Sequence, residues 1–254
     1  MQTHITLQRQ GGHAELRLEA PEGKPPTLDV PFLQELSALL EHLHEQPPRS
    51  LLIRSSSPKY FCVGANLNVL KDCTEETIVP WVKCGHDVLN QLEDLPCPSF
   101  AIVSGYAMGG GLELAMACDL ILASPNARFA QSEAALGFIP GWGGTRRLPE
   151  RVGRAKAKRM FFTGELLDAG TALEWGLVDL CEEEEALEER ILAWQEAIVR
   201  QSAHALSTFK RILNEAQRLE RNVNRETEAR LSKGCLQDPD TKERLQAFLE
   251  KRKR

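Results

Sequence analysis

Disulfide and metal signatures are missing from this 254-residue chain. Its seven cysteines are odd in number, and no two are spaced C-x-x-C. That excludes a stapled secreted fold and favours a reducing compartment, with cytoplasmic localisation expected. The six histidines lack metal-ligand spacing, and His42 and His44 do not share a helix face. No metal is expected. Phosphate loops of the G-x-x-x-x-G-K-[ST] type are absent, and neither "GGHAEL" nor "MGGGLE" makes a dinucleotide fingerprint. A G-x-S-x-G nucleophile elbow is absent too, although a dispersed Ser/His/Asp set stays open. The segment "MQTHITLQRQ" has no apolar core or cleavage site, so it is not expected to be a signal or transit peptide. Positive charge is in deficit: 31 Lys and Arg stand against 36 Asp and Glu, a net charge of −5. That argues against a general nucleic-acid binder, while leaving room for a local basic pocket for a phosphorylated ligand. Neither a low-complexity tract nor a sequence-level repeat is visible.

What remains is ordinary globular material, 42% hydrophobic and 26% charged, of a length suited to one large domain or a domain with an appendage. One long apolar run, Leu95–Cys118, could span a bilayer by length alone. It contains two prolines, four glycines and Glu113, its only charge. A buried strand, a tight turn and a buried helix fit it better, and no membrane partner is expected.

Residues 1–180 alternate strands and helices, and 181–254 read as helical. Gly11-Gly12 separates two alternating runs, as in a hairpin. "PFLQELSALLEHLHEQ" carries a helical stripe including Phe32, Leu36, Leu40 and Leu43. "RSLLIRSS", "PSFAIVSG" and "LILAS" read as strands, and "SPKYFCVGANLNVL" as a loop around Gly64. Residues 74–94 read as a helix interrupted near Pro80. "GFIPGWGGTRRLPERVG" reads as a Gly-rich loop, then "RAKAKRMFFTG" as a helix. Beyond Glu182 three helices are expected: one opened by Glu182–Glu185, a longer one with Leu206, Phe209, Ile212, Leu213, Ala216 and Leu219 at helical spacing, and a last one in "TKERLQAFLEKRK".

The chemistry concentrates around Glu113. Buried carboxylates are rare unless paired or neutralised. This one follows a strand and three glycines, in the first turn of a helix whose free N–H groups favour a developing negative charge. It is either a ligand-site acid or a helix-start acid that complements the dipole. Glu133, in "FAQSEAALG", is a second acid in apolar surroundings. It is a surface or capping acid unless the fold sets it opposite Glu113 as an acid/base partner. The loop at Gly64-Ala65 offers either a simple turn or a backbone N–H to a ligand. The segment with Trp142 is a rigid loop or a wall close to a ligand.

Taken in order, "FCVGANL", "VSGYAMGGGLELAMACDLILAS", "ARFAQSEAALGFIPGWGGTRRLPERVG", "FFTGELLDAGTALEWGLVD" and "AFLEKRK" resemble the crotonase family, also called the enoyl-CoA hydratase/isomerase family. The resemblance implies an α/β fold: a spiral of ββα units over 1–180, with a helical trimerisation region over 181–254. It implies a homotrimer or homohexamer and an acyl thioester of coenzyme A as substrate, with no separate cofactor. In the family two backbone N–H groups grip the thioester oxygen. Motif for motif, these fall on Ala65 and Gly110. Two glutamates hold the attacking water, and they fall on Glu113, as base, and Glu133, as acid towards C2. Gly141 matches the glycine that helps position that water. Asn66, Leu67 and Asn68 fall in the CoA-binding loop, while Phe248 and Lys251 match the tail that approaches the nucleotide. Isomerases of the family often keep only the acid matching Glu133, so the presence of both favours hydration of a 2-enoyl-CoA.

The chain departs from the pattern at Asn66, where Asp is usual, and at Leu231–Ser232, where an aromatic residue is common. An isomerase or specialised hydratase is the nearer alternative. A non-catalytic RNA-binding relative is the alternative of another class. Such relatives use a lysine-rich outer helix, and "PFLQELSALLEHLHEQ" has neither Lys nor Arg.

Overall fold

Two parallel-rich sheets share the strands of the first 181 residues. The computed structural model describes residues 3–251. The end of the "AFLEKRK" motif lies outside the described residues. The hairpin forms as expected: β1 (His4–Gln10) pairs antiparallel with β2 (His13–Glu19). Its turn needs positive φ at both residues, and Gly11 (59°) and Gly12 (85°) supply it. Helix α1 (Val30–Glu45) follows, capped by Asp29, whose carboxylate accepts the Phe32 N–H at 3.0 Å.

Three turns of a repeat then run through β3 (Leu51–Ser55) and β4 (Tyr60–Cys62), β5 (Ser99–Val103) and β6 (Tyr106–Met108), and β7 (Leu120–Ala123) and β8 (Arg128–Ala130). In each turn the first strand joins a six-stranded sheet and the second joins a four-stranded sheet. Helices α2 (Leu67–Lys71) and α3 (Glu75–Glu93) complete the first turn. Helix α4 (Gly110–Met116) completes the second. A 3₁₀ turn (Glu133–Leu136) and α5 (Gly144–Val152) complete the third. Helix α6 (Arg154–Thr163), β9 (Leu167–Asp168), α7 (Ala169–Trp175) and β10 (Leu180–Cys181) close the two sheets. This is the expected α/β spiral of ββα units with a helical C-terminal part. The repeat is invisible in sequence because its second strands have only three residues each. They are too short to show a period of two.

Several expectations are corrected. "SPKYFCVGANLNVL" is not all loop, since it holds β4 and α2. Pro80 does not interrupt α3, which runs on from a Thr74–Thr77 capping box. Part of the Gly-rich "loop" is α5, despite Pro149 within it. Among the described residues the C-terminal part has four helices rather than three: α8 (Glu184–Val199), α9 (Ala203–Ala216), α10 (Arg218–Gln237) and α11 (Pro239–Lys251). The long stripe breaks at Gln217. Its residues Phe209, Ile212 and Leu213 are 67%, 61% and 53% exposed, so they do not pack on their own chain.

Helix α4 is buried over all seven residues and runs between the sheets. Its approach to β4 is close enough that a Cβ on Gly111 would collide with the Cys62 carbonyl oxygen. Overpacking of such a contact costs about 1–3 kcal/mol. Gly111→Ala is expected to lower stability by about that amount, read as a fall in the urea midpoint at unchanged slope.

Candidate active site

The first turn of α4 faces the loop after β4. Leu28 donates its N–H to the Gly64 carbonyl (2.8 Å) and accepts the Asn66 N–H (2.9 Å). A parallel bridge of this kind turns the N–H of the residue between, Ala65, to the opposite edge. Gly64 has φ of +85°, and a Cβ there would stand 2.7 Å from the Gly110 nitrogen. Only glycine lets the loop come this near the helix. Gly110 is the first residue of α4, so its N–H has no intrahelical acceptor. Among the described residues neither the Ala65 nor the Gly110 N–H has a partner, and both residues border one space.

Glu113 reaches into the same region and is 1% exposed. Its Oε1 accepts the N–H groups of Trp142 (2.8 Å) and Gly144 (2.7 Å). Burial pushes its pKa well above the carboxylate range, the charges of Glu133 and Glu228 push further, and the two N–H donors oppose them. Glu133 comes from the 3₁₀ turn that follows β8. Gln131 donates to its Oε1 at 2.7 Å, while its Oε2 is buried with no partner among the described residues. Burial is the main cause that raises the Glu133 pKa to about 7. Two acids so placed shed their protons in two steps and hold one proton between them after the first.

Ala65, Leu67, Gly110, Glu113, Glu133 and Gly141 all line one cavity of about 80 Å³. Sequence spacing alone left the meeting of Glu113 and Glu133 open. The topology achieves it, because β6 and β8 are neighbours in the smaller sheet and each acid follows its strand. Asn66, Asn68, Phe248 and Lys251 do not line this cavity. Asn66 caps α2, accepting the Asn68 N–H at 3.1 Å. Phe248 and Lys251 lie on the exposed side of α11. A second groove, between α2 and α11, carries Lys71 and Lys242 instead. Ser232, at the site of the missing aromatic, lines the acid-bearing cavity.

Sequence reasoning missed Glu228. This α10 side chain is 2% exposed and accepts the N–H groups of Gly143 (2.9 Å) and Thr145 (3.2 Å), the Thr145 hydroxyl, and a bond from His86 Nε2 (2.7 Å). The turn at 142–145 therefore gives its N–H groups alternately to Glu113 and Glu228. Arg147 fixes the same turn by donating to the Trp142 carbonyl at 2.7 Å, and Glu93 in turn holds Arg147. Nothing in "NRETEARL" separates Glu228 from its surface neighbours, because its partners lie 83 to 142 residues away. Leaving buried donors without their acceptor costs about 1–3 kcal/mol for each group, and more for charged ones. Glu228→Ala is expected to lose that much in urea unfolding, and Glu228→Gln, which keeps an acceptor oxygen, to lose less.

A profile of the enoyl-CoA hydratase/isomerase family matches residues 8–254. A crotonyl-CoA hydratase of Syntrophomonas wolfei is 32% identical over 98% of this chain and 96% of its own. A mitochondrial methylglutaconyl-CoA hydratase of Rattus norvegicus is 33% identical over 89% of this chain and 73% of its own. The crystal structure of an enoyl-CoA hydratase from Bacillus halodurans superposes with a TM-score of 0.90 at 23% identity, over 96% of this chain and 99% of its own. The order of the motifs, the double sheet and the profile agree: the chain belongs to the enoyl-CoA hydratase/isomerase family.

Proposed function

We propose that the protein is an enoyl-CoA hydratase, a lyase that adds water reversibly across the 2,3 double bond of a 2-enoyl-CoA to give a 3-hydroxyacyl-CoA. The observation that carries this reading is the convergence of Glu113 and Glu133 on a cavity bordered by the unpaired N–H groups of Ala65 and Gly110. The thioester oxygen accepts both N–H groups. As water attacks C3, charge builds on that oxygen, and donors fixed beforehand stabilise the transition state more than the ground state. Glu113, its Oε1 held by two N–H donors, takes the proton from water. Glu133 delivers a proton to C2. Gly141, at the cavity wall, helps seat the water. The singly protonated pair is the working form, since one group must accept a proton while the other gives one.

Coenzyme A belongs to the substrate, and no separate cofactor is invoked. Its acyl end enters past Leu67, and Asn66 and Asn68 hold the α2 start beside it. The groove with Lys71 and Lys242 suits the phosphates, and Phe248 and Lys251 stand on the same helix as Lys242 for the nucleotide. The exposed stripe of Phe209, Ile212 and Leu213 supports a homotrimer, or a homohexamer of two trimers, assembled through the 181–254 region. No helix among the described residues is long and apolar enough to cross a membrane. Seven free cysteines support a reducing, cytoplasmic setting.

Glu113→Gln and Glu133→Gln are each expected to lower hydration of crotonyl-CoA by about 10²–10⁴-fold with the fold retained. Full activity in either variant overturns the reading. The kcat/KM for hydration is expected to fall as pH rises through about 7, where Glu133 loses the proton that it gives to C2. Glu228→Gln removes a negative charge that faces both acids, alongside His86 and Arg147. It should therefore move this limb to lower pH; an unmoved or upward limb contradicts the electrostatic account.

A further inference from the structure

We infer that Trp142 limits the protein to short enoyl groups of about four carbons, and that the acids of the cavity exclude an anionic acyl end. This rests on the hydratase reading and specifies its substrate. The Trp142 indole is 2% exposed and lines the acid-bearing cavity. Its benzo edge lies against Gly110, where a Cβ would stand 2.6 Å from Cζ3. Its pyrrole edge lies against Gly85, where a Cβ would collide with Nε1. Gly85 sits inside α3, a position where glycine weakens a helix. The space that this glycine leaves open is filled by the indole. Trp81 meets Trp142 edge-on, with ring centroids 5.1 Å apart, and closes the remaining side. The indole therefore fills the space between Gly110 and helix α3 at the wall of the acid-bearing cavity.

Volume and charge set the class of substrate. An apolar cavity of about 150 Å³ takes up benzene, with six carbons. The cavity here has about 80 Å³, which holds the reacting carbons and little more. Among the described residues that line it, none is cationic, and the only charged ones are Glu113 and Glu133. An acyl group ending in a carboxylate would bury a third negative charge without a partner. This chain is thereby set apart from a relative named for methylglutaconyl-CoA, which carries such a group.

The backbone of Trp142, held by Glu113 and Arg147, stays in place when its side chain is shortened. One methylene in a fitted apolar pocket changes kcat/KM by about 10–200-fold. The experiment measures kcat/KM for crotonyl-CoA, 2-octenoyl-CoA and glutaconyl-CoA with the native protein, Trp142→Ala and Trp142→Phe. The native protein is expected to prefer crotonyl-CoA over 2-octenoyl-CoA by at least about 100-fold, and to leave glutaconyl-CoA almost unconverted. Trp142→Ala should narrow the crotonyl-to-octenoyl ratio at least about tenfold, with Trp142→Phe between the two. A native protein that handles octenoyl-CoA or glutaconyl-CoA as well as crotonyl-CoA overturns the inference. So does an unchanged ratio in a folded Trp142 variant. If Trp142→Ala does not fold, the native ratios and Trp142→Phe decide. Loss of hydration of every thioester in the native protein instead overturns the hydratase reading.

Discussion

The turn at 142–145 is held from both sides by buried carboxylates, and the site depends on that grip. Glu113 takes the N–H groups of Trp142 and Gly144, and Glu228 takes those of Gly143 and Thr145. A buried carboxylate without donors is very costly, and so is a buried N–H without an acceptor. Each therefore enforces the other. The same turn opens α5 with negative charge at its N-terminal end, where the helix dipole favours it. Because Glu228 comes from α10, the C-terminal helices are part of the site rather than an accessory to it.

The grip also sets the electrostatics. Three carboxylates, Glu113, Glu133 and Glu228, are concentrated in a small buried volume. Glu228 is compensated by His86 and three donors from the turn. Glu113 and Glu133 are less well compensated, and their proton affinities rise. A group poised near neutral pH, as Glu133 is at about 7, suits proton transfer. The unsatisfied Oε2 of Glu133 faces no protein donor among the described residues. It is the atom left free to serve a ligand.

Much of this was legible in the sequence, for reasons that differ by feature. Glu113 stood out because one acid in a long apolar run needs an explanation, and the glycines at 109–111 signalled close backbone approach, whereas Gly64 read equally as a simple turn. The ordered motifs then carried the fold and the pairing with Glu133. Local pattern failed where structure is too short to show a period, as in β4, β6 and β8. It also failed where helix α5 begins within glycines and contains Pro149. The stripe on α9 was legible as a helix, but its exposure was not, since an apolar face looks the same whether it meets its own core or another surface. Glu228 and His86 were hidden because their meaning lies in contacts far along the chain. The expected approach of Phe248 and Lys251 to the ligand likewise depends on how α11 lies, and the acid-bearing cavity does not include them.

The central claim is that water is added at C3 of an enoyl thioester between Glu113 and Glu133. The most direct measurement is mass spectrometry of the product formed from crotonyl-CoA in ¹⁸O-labelled water. The account predicts a 3-hydroxybutyryl-CoA that carries one labelled oxygen on C3. Recovery of an unlabelled product with a shifted double bond, or of unchanged crotonyl-CoA, would contradict it.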